Sequence, residues 1–344
     1  MIAIGIYDSS GPKFHRIYCP LQMMGIEYEL HSNLTEFNSS VDIVFCNRLI
    51  ANNSINNIIS LREKFGFKLV IDFDDHWRLD KSHLLYSMYK ATKASEVMEE
   101  YLKIADAVFV THERLYSEVI PFNKNCFILP NAIPQSGQFL FKKQEDKDVR
   151  FFWAGGITHK NDISLLKNFV RNIRKPGVKF VIGGYEEKNP EWKAMASCFT
   201  DGGRTKHEVL KSLPVTEYYA NYSKCDIGLI PLVENHFNIY KSNLKVLEAA
   251  NIGSPVIVSR VHPYLDFPED VVNYVDNQNT WYLQGKKLLS SKSWREHQGD
   301  ALKEYCFEHY NFEKINKERK QILEYVAGTN IKEGTIQGSL RVVD

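Results

Sequence analysis

The sequence predicts an α/β protein made of two doubly wound domains with parallel sheets, and three observations lead to this fold class. Short apolar runs recur along the 344 residues, with helical segments between them. The runs are continuous rather than alternating, which is typical of strands buried on both faces. A polar, turn-rich stretch at residues 133–148 interrupts the pattern once and reads as a linker between two similar units.

Nine apolar runs are the predicted strands: MIAIGIYD, VDIVFCNR, FKLVIDF, ADAVFVTH, CFILPN, VRFFWAGG, VKFVIGGY, CDIGLIPL and SPVIVS. Helical spacing follows in SLLKNFVRNIR and NLKVLEAAN, and three further helical segments come after the last strand. We expect an N-terminal Rossmann-like domain at 1–140, a second one at 141–310, a helix at 311–326 and a loose tail at 327–344.

The composition and the net charge argue against several classes of protein. The formal net charge is +1, so no global field draws the chain to nucleic acid or to an acidic membrane. The six cysteines form no CxxC pair, which argues for buried thiols in a reducing compartment and against a zinc site or a disulfide framework. No apolar run approaches the roughly 20 residues of a membrane-spanning helix. We therefore expect a cytoplasmic protein, in the host cytoplasm if a phage encodes it.

In sheets of this kind, ligands bind outside the carboxyl ends of the strands, so the residues that follow each strand are the candidate site. Gly155 and Gly156 follow VRFFWA and would let a backbone approach a phosphate, with His159 and Lys160 adding positive charge. The alternative is a plain strand-to-helix turn in which Asp162 caps the helix. A complete GxGxxG fingerprint is absent, so we do not predict an NAD site.

The stretch NIYKSNLKVLEAANIGSPVIVS is the stronger candidate. Ser242 or Asn243 can cap the helix NLKVLEAAN, and the helix start then forms an anion site with Lys241 beside it. The Glu248 carboxylate can accept hydrogen bonds from both hydroxyls of a ribose. Lys245 is interpreted as a surface pair with Glu248 at i, i+3 spacing.

In the first half, VIDFDDHW ends a predicted strand with Asp72, Asp74 and Asp75. These carboxylates could orient an acceptor hydroxyl, act as a base or bind a divalent metal. The alternative is turn formation and helix capping by aspartate. His76 could transfer a proton or be purely structural.

The loop DSSGPKFHRIYCP follows the first predicted strand. Ser10, Gly11 and Pro12 form a helix-start pattern. Arg16 could meet an acceptor or a phosphate, or it could be a surface arginine.

Taken together, these segments resemble the nucleotide-sugar glycosyltransferases of the GT-B fold, in the style of glycosyltransferase family 4. The resemblance rests on FFWAGGITHKNDISLL, VTEYYANYSKCDIGLIPL and FNIYKSNLKVLEAANIGSPVIVS, with a KSxxKxxE variant of the donor motif. Ser10–Arg16, Asp72–Asp75 and Leu129–Asn131 match the SGxxxxR-like loop, the DxDD strand end and the LPN turn of bacterial and phage look-alikes. It implies two Rossmann-like domains that face a cleft, with the last helix crossing back to the first domain.

The resemblance also implies roles for individual residues. Glu248 matches the glutamate that holds the donor ribose, and Val215 lies in the region that meets the base. Lys241, Ser242 and Asn243 match the loop that contacts the diphosphate and the sugar. Gly155, Gly156 and Lys160 match the phosphate-side loop of the second domain. Two departures concern the donor sugar. Tyr240 stands where the wider family has a second glutamate, and the usual arginine near Gly156 is missing.

We expect a glycosyltransferase that moves a sugar from a nucleoside diphosphate donor to an acceptor hydroxyl, and we expect the donor to be a UDP-sugar. The resemblance implies retention of configuration, and no cofactor or metal is required, although a divalent ion remains possible. Acceptors left open are a glycan, a lipid-linked glycan and, in a narrower phage version, hydroxymethylated bases of DNA. The rival functions are a UDP-sugar epimerase on the same fold and a non-catalytic sugar-nucleotide binding module.

Overall fold

The computed structural model describes residues 1–35 and 40–328, which divide into two compact units. Of the described residues, unit 1 contains those in 1–132, 240–242 and 312–328, and unit 2 contains 133–239 and 243–311. The expected boundary near residue 140 falls inside unit 2, where Phe139 O accepts from Asn251 Nδ2 at 2.7 Å. Most of the expected tail, from residue 329 on, lies outside the described residues.

Unit 1 is built on a six-stranded parallel sheet in the order β2-β1-β3-β4-β5-β6. The chain order reverses between β1 and β3, which is the switch point where ligands bind in such sheets. The strands are β1 (Ile2–Ile6), β2 (Glu27–His31), β3 (Ile43–Asn47), β4 (Lys68–Phe73), β5 (Ala107–Val110) and β6 (Cys126–Ile128).

Unit 2 repeats this plan with the order β12-β11-β10-β7-β8-β9, again parallel throughout. The order is that of the dinucleotide-type doubly wound fold, with its switch point between β7 and β10. The strands are β7 (Val149–Ala154), β8 (Val178–Tyr185), β9 (His207–Lys211), β10 (Ile227–Ile230), β11 (Val256–Ser259) and β12 (Asn273–Val275). All nine predicted strands are confirmed, and β2, β9 and β12 are additional.

Helices cover both sheets, and local chemistry fixes several of their ends. The helix at Ile55–Phe65 begins because Ser54 Oγ accepts the Asn57 amide, and it ends at Gly66 with φ +75°. In unit 1 they are α1 (Gly11–Lys13), continued by a π-helix at Phe14–Tyr18, α2 (Cys19–Met23), α3 (Ile55–Phe65), α4 (Tyr86–Thr92), α5 (Ala94–Ile104) and α6 (Glu113–Val119).

In unit 2 the helices are α7 (Lys160–Ile163), α8 (Lys167–Ile173), α9 (Pro190–Thr200), α10 (Leu244–Asn251), α11 (Gln278–Ser290) and α12 (Lys292–His309). A 3₁₀-helix at Tyr218–Lys224 precedes β10. The last helix, α13 (Phe312–Val326), groups with unit 1, where Asn316 Nδ2 donates to Pro20 O at 3.1 Å.

The core of unit 2 is rich in aromatic side chains, and it holds the strand ends in place. Trp153, at the end of β7, is 1% exposed and packs edge-on against Trp192 of α9. Among helices within residues 1–35 and 40–328, none combines the length and the apolar character needed to cross a bilayer.

Candidate active site

The loop after β7 passes so close to β8 that only glycine fits. Gly184 has φ +96°, and a Cβ there would lie 2.6 Å from Gly155 O. A Cβ at Gly155 would lie 2.9 Å from the Trp153 ring. The predicted glycines Gly155 and Gly156 therefore sit at the carboxyl edge of the sheet, beside its switch point.

Lys245 reaches this loop from the first turn of α10. Its Nζ donates to Ala154 O at 2.7 Å and lies 5.6 Å from the centre of the Trp153 ring. The interpretation of Lys245 as a surface pair with Glu248 is wrong, because the flexible side chain extends to the end of β7 instead. The ammonium therefore lies at the edge of the sheet, next to Gly155.

The helix α10 starts beside this edge. Asn243 is the N-cap residue, but its side chain makes no capping hydrogen bond; it bonds with Tyr310 instead. The Asn243 carbonyl accepts the Val246 amide at 2.9 Å. The helix start thus has the predicted position, while the predicted side-chain cap by Asn243 is absent.

Glu248, in the second turn of α10, is 4% exposed. Tyr218 OH donates to its Oε1 and Tyr222 OH to its Oε2, and Tyr219 OH lies 3.5 Å from Oε1. Burial raises the pKa of Glu248 well above its ordinary value, while hydroxyl donors favour the ionised form and act in the opposite direction. The Glu248 carboxylate therefore has hydrogen-bond partners within unit 2.

Asp162 ties together the loops on either side of the switch point. Its Oδ1 accepts from Val233 N at 2.9 Å and from Asn238 Nδ2 at 3.2 Å, and its Oδ2 lies 2.7 Å from His159 Nδ1. The alternative in which Asp162 caps the helix is therefore wrong, because Asp162 lies inside α7 and bonds across the sheet edge. Lys160 points elsewhere, with its Nζ 2.6 Å from Glu191 Oε2 and its side chain half exposed.

Val215 lies in the turn that follows β9, on the same edge of the sheet. In this turn the Tyr218 amide donates to Pro214 O at 3.0 Å and leads into the 3₁₀-helix that carries the three tyrosines. The predicted base-contacting segment and the Glu248 partners are therefore one continuous stretch.

In unit 1, Arg16 joins the three motifs that carried the resemblance in the first half. It contacts both carboxylate oxygens of Asp72 at 2.7–3.0 Å, and its NH1 donates to Pro130 O at 3.2 Å and to Asn131 Oδ1 at 3.1 Å. Arg16 is 1% exposed and Asp72 is 0% exposed. The reading of Arg16 as a surface arginine is wrong, and its role toward an acceptor stays a prediction.

Asp74 and Asp75 follow β4 and share Arg48, a residue that the sequence analysis did not identify. Arg48 NH2 lies 3.0 Å from Asp74 Oδ1 and 3.1 Å from Asp75 Oδ2, and Asn47 Nδ2 donates to Asp74 at 3.0 Å. Burial acts to raise the pKa of both carboxyls, but Arg48 and Asn47 hold the pKa of Asp74 below its ordinary value. The pKa of Asp75 is raised because burial and the negative charge of Asp74 outweigh the nearby ammonium of Lys241, which acts to lower it. The two carboxyls are thus pushed apart in acidity, as in acid–base pairs.

His76 is buried against the rings of Trp77 and Tyr240, whose centres lie 4.7 Å and 4.4 Å away. Its Nδ1 accepts the Arg78 amide at 2.9 Å, and its Nε2 lies 3.6 Å from Glu118 Oε2. Tyr240 OH also donates to Glu118, at 2.7 Å. Burial and the Glu118 carboxylate raise the pKa of Tyr240 to about 12.

The segment Tyr240–Ser242 groups with unit 1 by its contacts. His112 Nε2 lies 3.0 Å from Tyr240 O, and Lys241 Nζ lies 3.8 Å from Asp75 Oδ2. Two predicted donor residues, Tyr240 and Lys241, are therefore found beside two predicted catalytic residues, Asp75 and His76.

Ser10 and Gly11 form the predicted helix start, although the Ser10 side chain makes no capping bond. The Phe14 amide donates to Ser10 O at 2.9 Å. Within the described part of the chain, no group of three or more His, Cys, Asp or Glu side chains is arranged to hold a metal ion.

Comparison with known proteins places this geometry in context. Residues 148–280 match the profile of a family described as "Glycosyl transferases group 1". Comparison with curated proteins gives no match.

Several solved structures share the fold at low sequence identity. Sucrose-phosphate synthase from Thermosynechococcus elongatus is 15% identical, with a TM-score of 0.63 over 93% of this chain and 78% of that one. Anabaena Alr3699/HepE, in complex with UDP and glucose, is 12% identical, with a TM-score of 0.60 over 89% and 88%. TarM from S. aureus, in a complex that contains UDP, is 14% identical, with a TM-score of 0.59. The match covers 82% of this chain and 55% of TarM.

These similarities and the two six-stranded parallel sheets confirm the predicted α/β class of the GT-B type. The family match covers most of unit 2, including the Gly155 loop, Lys245 and Glu248. Residues 148–280 of unit 2 are therefore similar to the glycosyl transferases group 1, and the predicted enzyme class, glycosyltransferase, is confirmed.

Proposed function

We propose that the chain transfers a sugar from a UDP-sugar to a hydroxyl of a glycan or a lipid-linked glycan, with retention of configuration and without a metal. The observation that carries the proposal is the buried Glu248 carboxylate in the second turn of α10, a helix that begins at the carboxyl edge of the sheet. This spacing suits one nucleotide, with the diphosphate at the helix start and the ribose at the second turn. The presence of UDP in the TarM and HepE complexes supports uridine as the nucleoside.

Departure of the diphosphate leaves negative charge on the nucleotide, and unit 2 has two features that would stabilise it. The Lys245 ammonium lies at the Gly155 loop, and the N-terminus of α10 presents backbone amides. Fixed dipoles and charges of this kind are typically the largest catalytic term. Because they can do the work of a cation, we propose that the reaction is metal-independent.

The bond changes define what the acceptor side must do. The bond between the anomeric carbon and the diphosphate oxygen breaks, the carbon bonds to the acceptor oxygen, and the acceptor hydroxyl loses its proton. Of the three predicted catalytic residues, Asp75 is the best proton acceptor, because its pKa is raised whereas Arg48 and Asn47 hold the pKa of Asp74 below its ordinary value. His76 Nδ1 is occupied by the Arg78 amide.

Modified DNA is the less favoured acceptor, because basic side chains of unit 2 are neutralised by carboxylates. Lys179 pairs with Asp146, Lys206 with Asp148 and Arg260 with Asp276, one carboxylate for each cation. Such pairing lowers the net charge that phosphate contacts require.

The test begins with UDP binding by calorimetry and by thermal shift. At 100 times its Kd, UDP should stabilise the protein by about 2.7 kcal/mol, and Glu248→Ala should abolish this effect. The transfer step is tested with UDP-sugars and a panel of glycan acceptors, with EDTA present and the anomer assigned by NMR. Product that forms from donor alone would indicate an epimerase. Donor binding without UDP release for any acceptor would indicate a binding module.

A further inference from the structure

The proposed ribose ligand, Glu248, already accepts hydrogen bonds on both of its oxygens within unit 2. Tyr218 OH donates to Oε1 and Tyr222 OH donates to Oε2. A ribose cis-diol also offers two hydroxyl donors, and it would need acceptor positions on the same carboxylate. The inference that follows rests on the proposed function, because it concerns how the donor gains access to Glu248.

The tyrosines differ in how firmly the core holds them. Tyr219 is 1% exposed and Tyr222 is 3% exposed. The Tyr222 ring lies 4.8 Å from that of Phe152, and the Tyr219 ring lies 4.9 Å from that of Phe139. Tyr218, at the start of the 3₁₀-helix, is only partly buried. The Tyr218 ring packs on the Tyr219 ring, 4.7 Å away, at the edge of the cluster. Rotation of Tyr218 toward solvent would break this contact at the edge, whereas rotation of Tyr222 would remove a ring from the buried core.

We propose that the Tyr218 hydroxyl occupies a ribose-hydroxyl position on Glu248 and swings away when the donor binds, while Tyr222 stays and orients the carboxylate. Tyr218 is then a gate on the nucleotide site rather than a catalytic residue. Its hydroxyl keeps the buried carboxylate hydrogen-bonded in the conformation described here, which removes the cost of an unsatisfied buried acceptor. The apparent donor affinity is the intrinsic affinity multiplied by the fraction of molecules in which the gate is open.

The first experiment compares UDP binding by calorimetry in the wild type, Tyr218→Phe and Tyr222→Phe. Because Tyr218→Phe removes only the competing hydroxyl, it should tighten UDP binding about three- to tenfold. Tyr222→Phe is the matched control. It removes the other hydroxyl on Glu248, which in the wild type we expect to stay bonded when UDP binds. It should leave UDP binding unchanged or weaker. Unchanged or weaker UDP binding by Tyr218→Phe would overturn the proposal.

The second experiment separates a gate from a general effect on packing by using 2′-deoxy-UDP. This ligand lacks one of the two hydroxyls, so Tyr218 can keep its bond to Glu248 when the ligand is bound. Tyr218→Phe should therefore tighten the binding of UDP more than that of 2′-deoxy-UDP. The Kd for 2′-deoxy-UDP divided by the Kd for UDP should be larger in the variant than in the wild type. An equal change for both ligands would overturn the gate. If the wild type binds neither ligand, the proposed function itself fails.

Discussion

Replacement of Lys245 by methionine tests whether its ammonium serves the diphosphate. The Nζ lies 2.7 Å from Ala154 O at the end of β7, where the proposed diphosphate would replace or share that contact. A hydrogen bond to a charged group contributes about 1.5–3 kcal/mol. Because the Lys245 side chain is partly exposed to solvent, we take a contribution from the lower half of this range. A loss of about 2 kcal/mol corresponds to about 30-fold weaker UDP binding.

The comparison variants make this prediction specific. Lys160→Met removes a lysine that pairs with Glu191 at the surface, and it should change the Kd for UDP less than threefold. Lys245→Arg retains the charge and should recover part of the affinity. Uridine lacks phosphate, so calorimetry should show little change in its binding to Lys245→Met. Equal losses for uridine and UDP, or a larger loss in Lys160→Met than in Lys245→Met, would refute the assignment.

Three further predictions concern other residues of the two units. Ionised Glu248 accepts two hydroxyls and its pKa is raised by burial, so UDP affinity measured by calorimetry should rise more steeply from pH 5 to pH 8 in the wild type than in Glu248→Gln, where only the terminal phosphate of UDP titrates; equal slopes would contradict this. Arg16→Met leaves Asp72 buried without its cation and should lower the free energy of unfolding in urea by about 3–5 kcal/mol at pH 7. The loss should be smaller at pH 4, where Asp72 is more readily protonated. Equal losses at the two pH values would exclude the ion pair as the cause. Gly155→Ala places a Cβ 2.9 Å from the buried Trp153 ring and should cost about 1–3 kcal/mol in thermal unfolding, whereas Gly156→Ala meets nothing within 4 Å and should be nearly neutral; equal effects would argue against the close contact.

The strands that the sequence did not reveal are all edge strands. Interior strands of a parallel sheet are buried on both faces, so they appear as continuous apolar runs. The edge strands β2 and β9 contain only exposed and partly buried residues. A search for continuous apolar runs therefore recovers the interior strands and misses these two solvated edges. β12 is buried but has only three residues, and β6, an edge strand of the same length, was found because it belongs to the longer apolar run CFILPN.

The candidate site was harder to predict than the fold, because its contacts are distant in sequence. Lys245 bonds to Ala154, 91 residues away, and Glu248 bonds to Tyr222, 26 residues away. Helical spacing pairs Lys245 with Glu248 but cannot indicate that the lysine extends to another strand. A signal for the second contact was present in the stretch EYYANY, where the spacing of three tyrosines suits one helical face. A buried glutamate in need of donors makes such a stretch a candidate partner.

The KSxxKxxE motif illustrates why spacing alone does not assign a role. Its first part, with Tyr240 and Lys241, is held in unit 1 by His112, Glu118 and Asp75. Its second part starts α10, whose Lys245 and Glu248 bond within unit 2. A glutamate at position 240 would remove the hydroxyl donor that Glu118 uses and would add a negative charge to the same region. The tyrosine is therefore explained by its neighbour in unit 1, and Lys245, rather than the start of the motif, supplies the cation at the Gly155 loop.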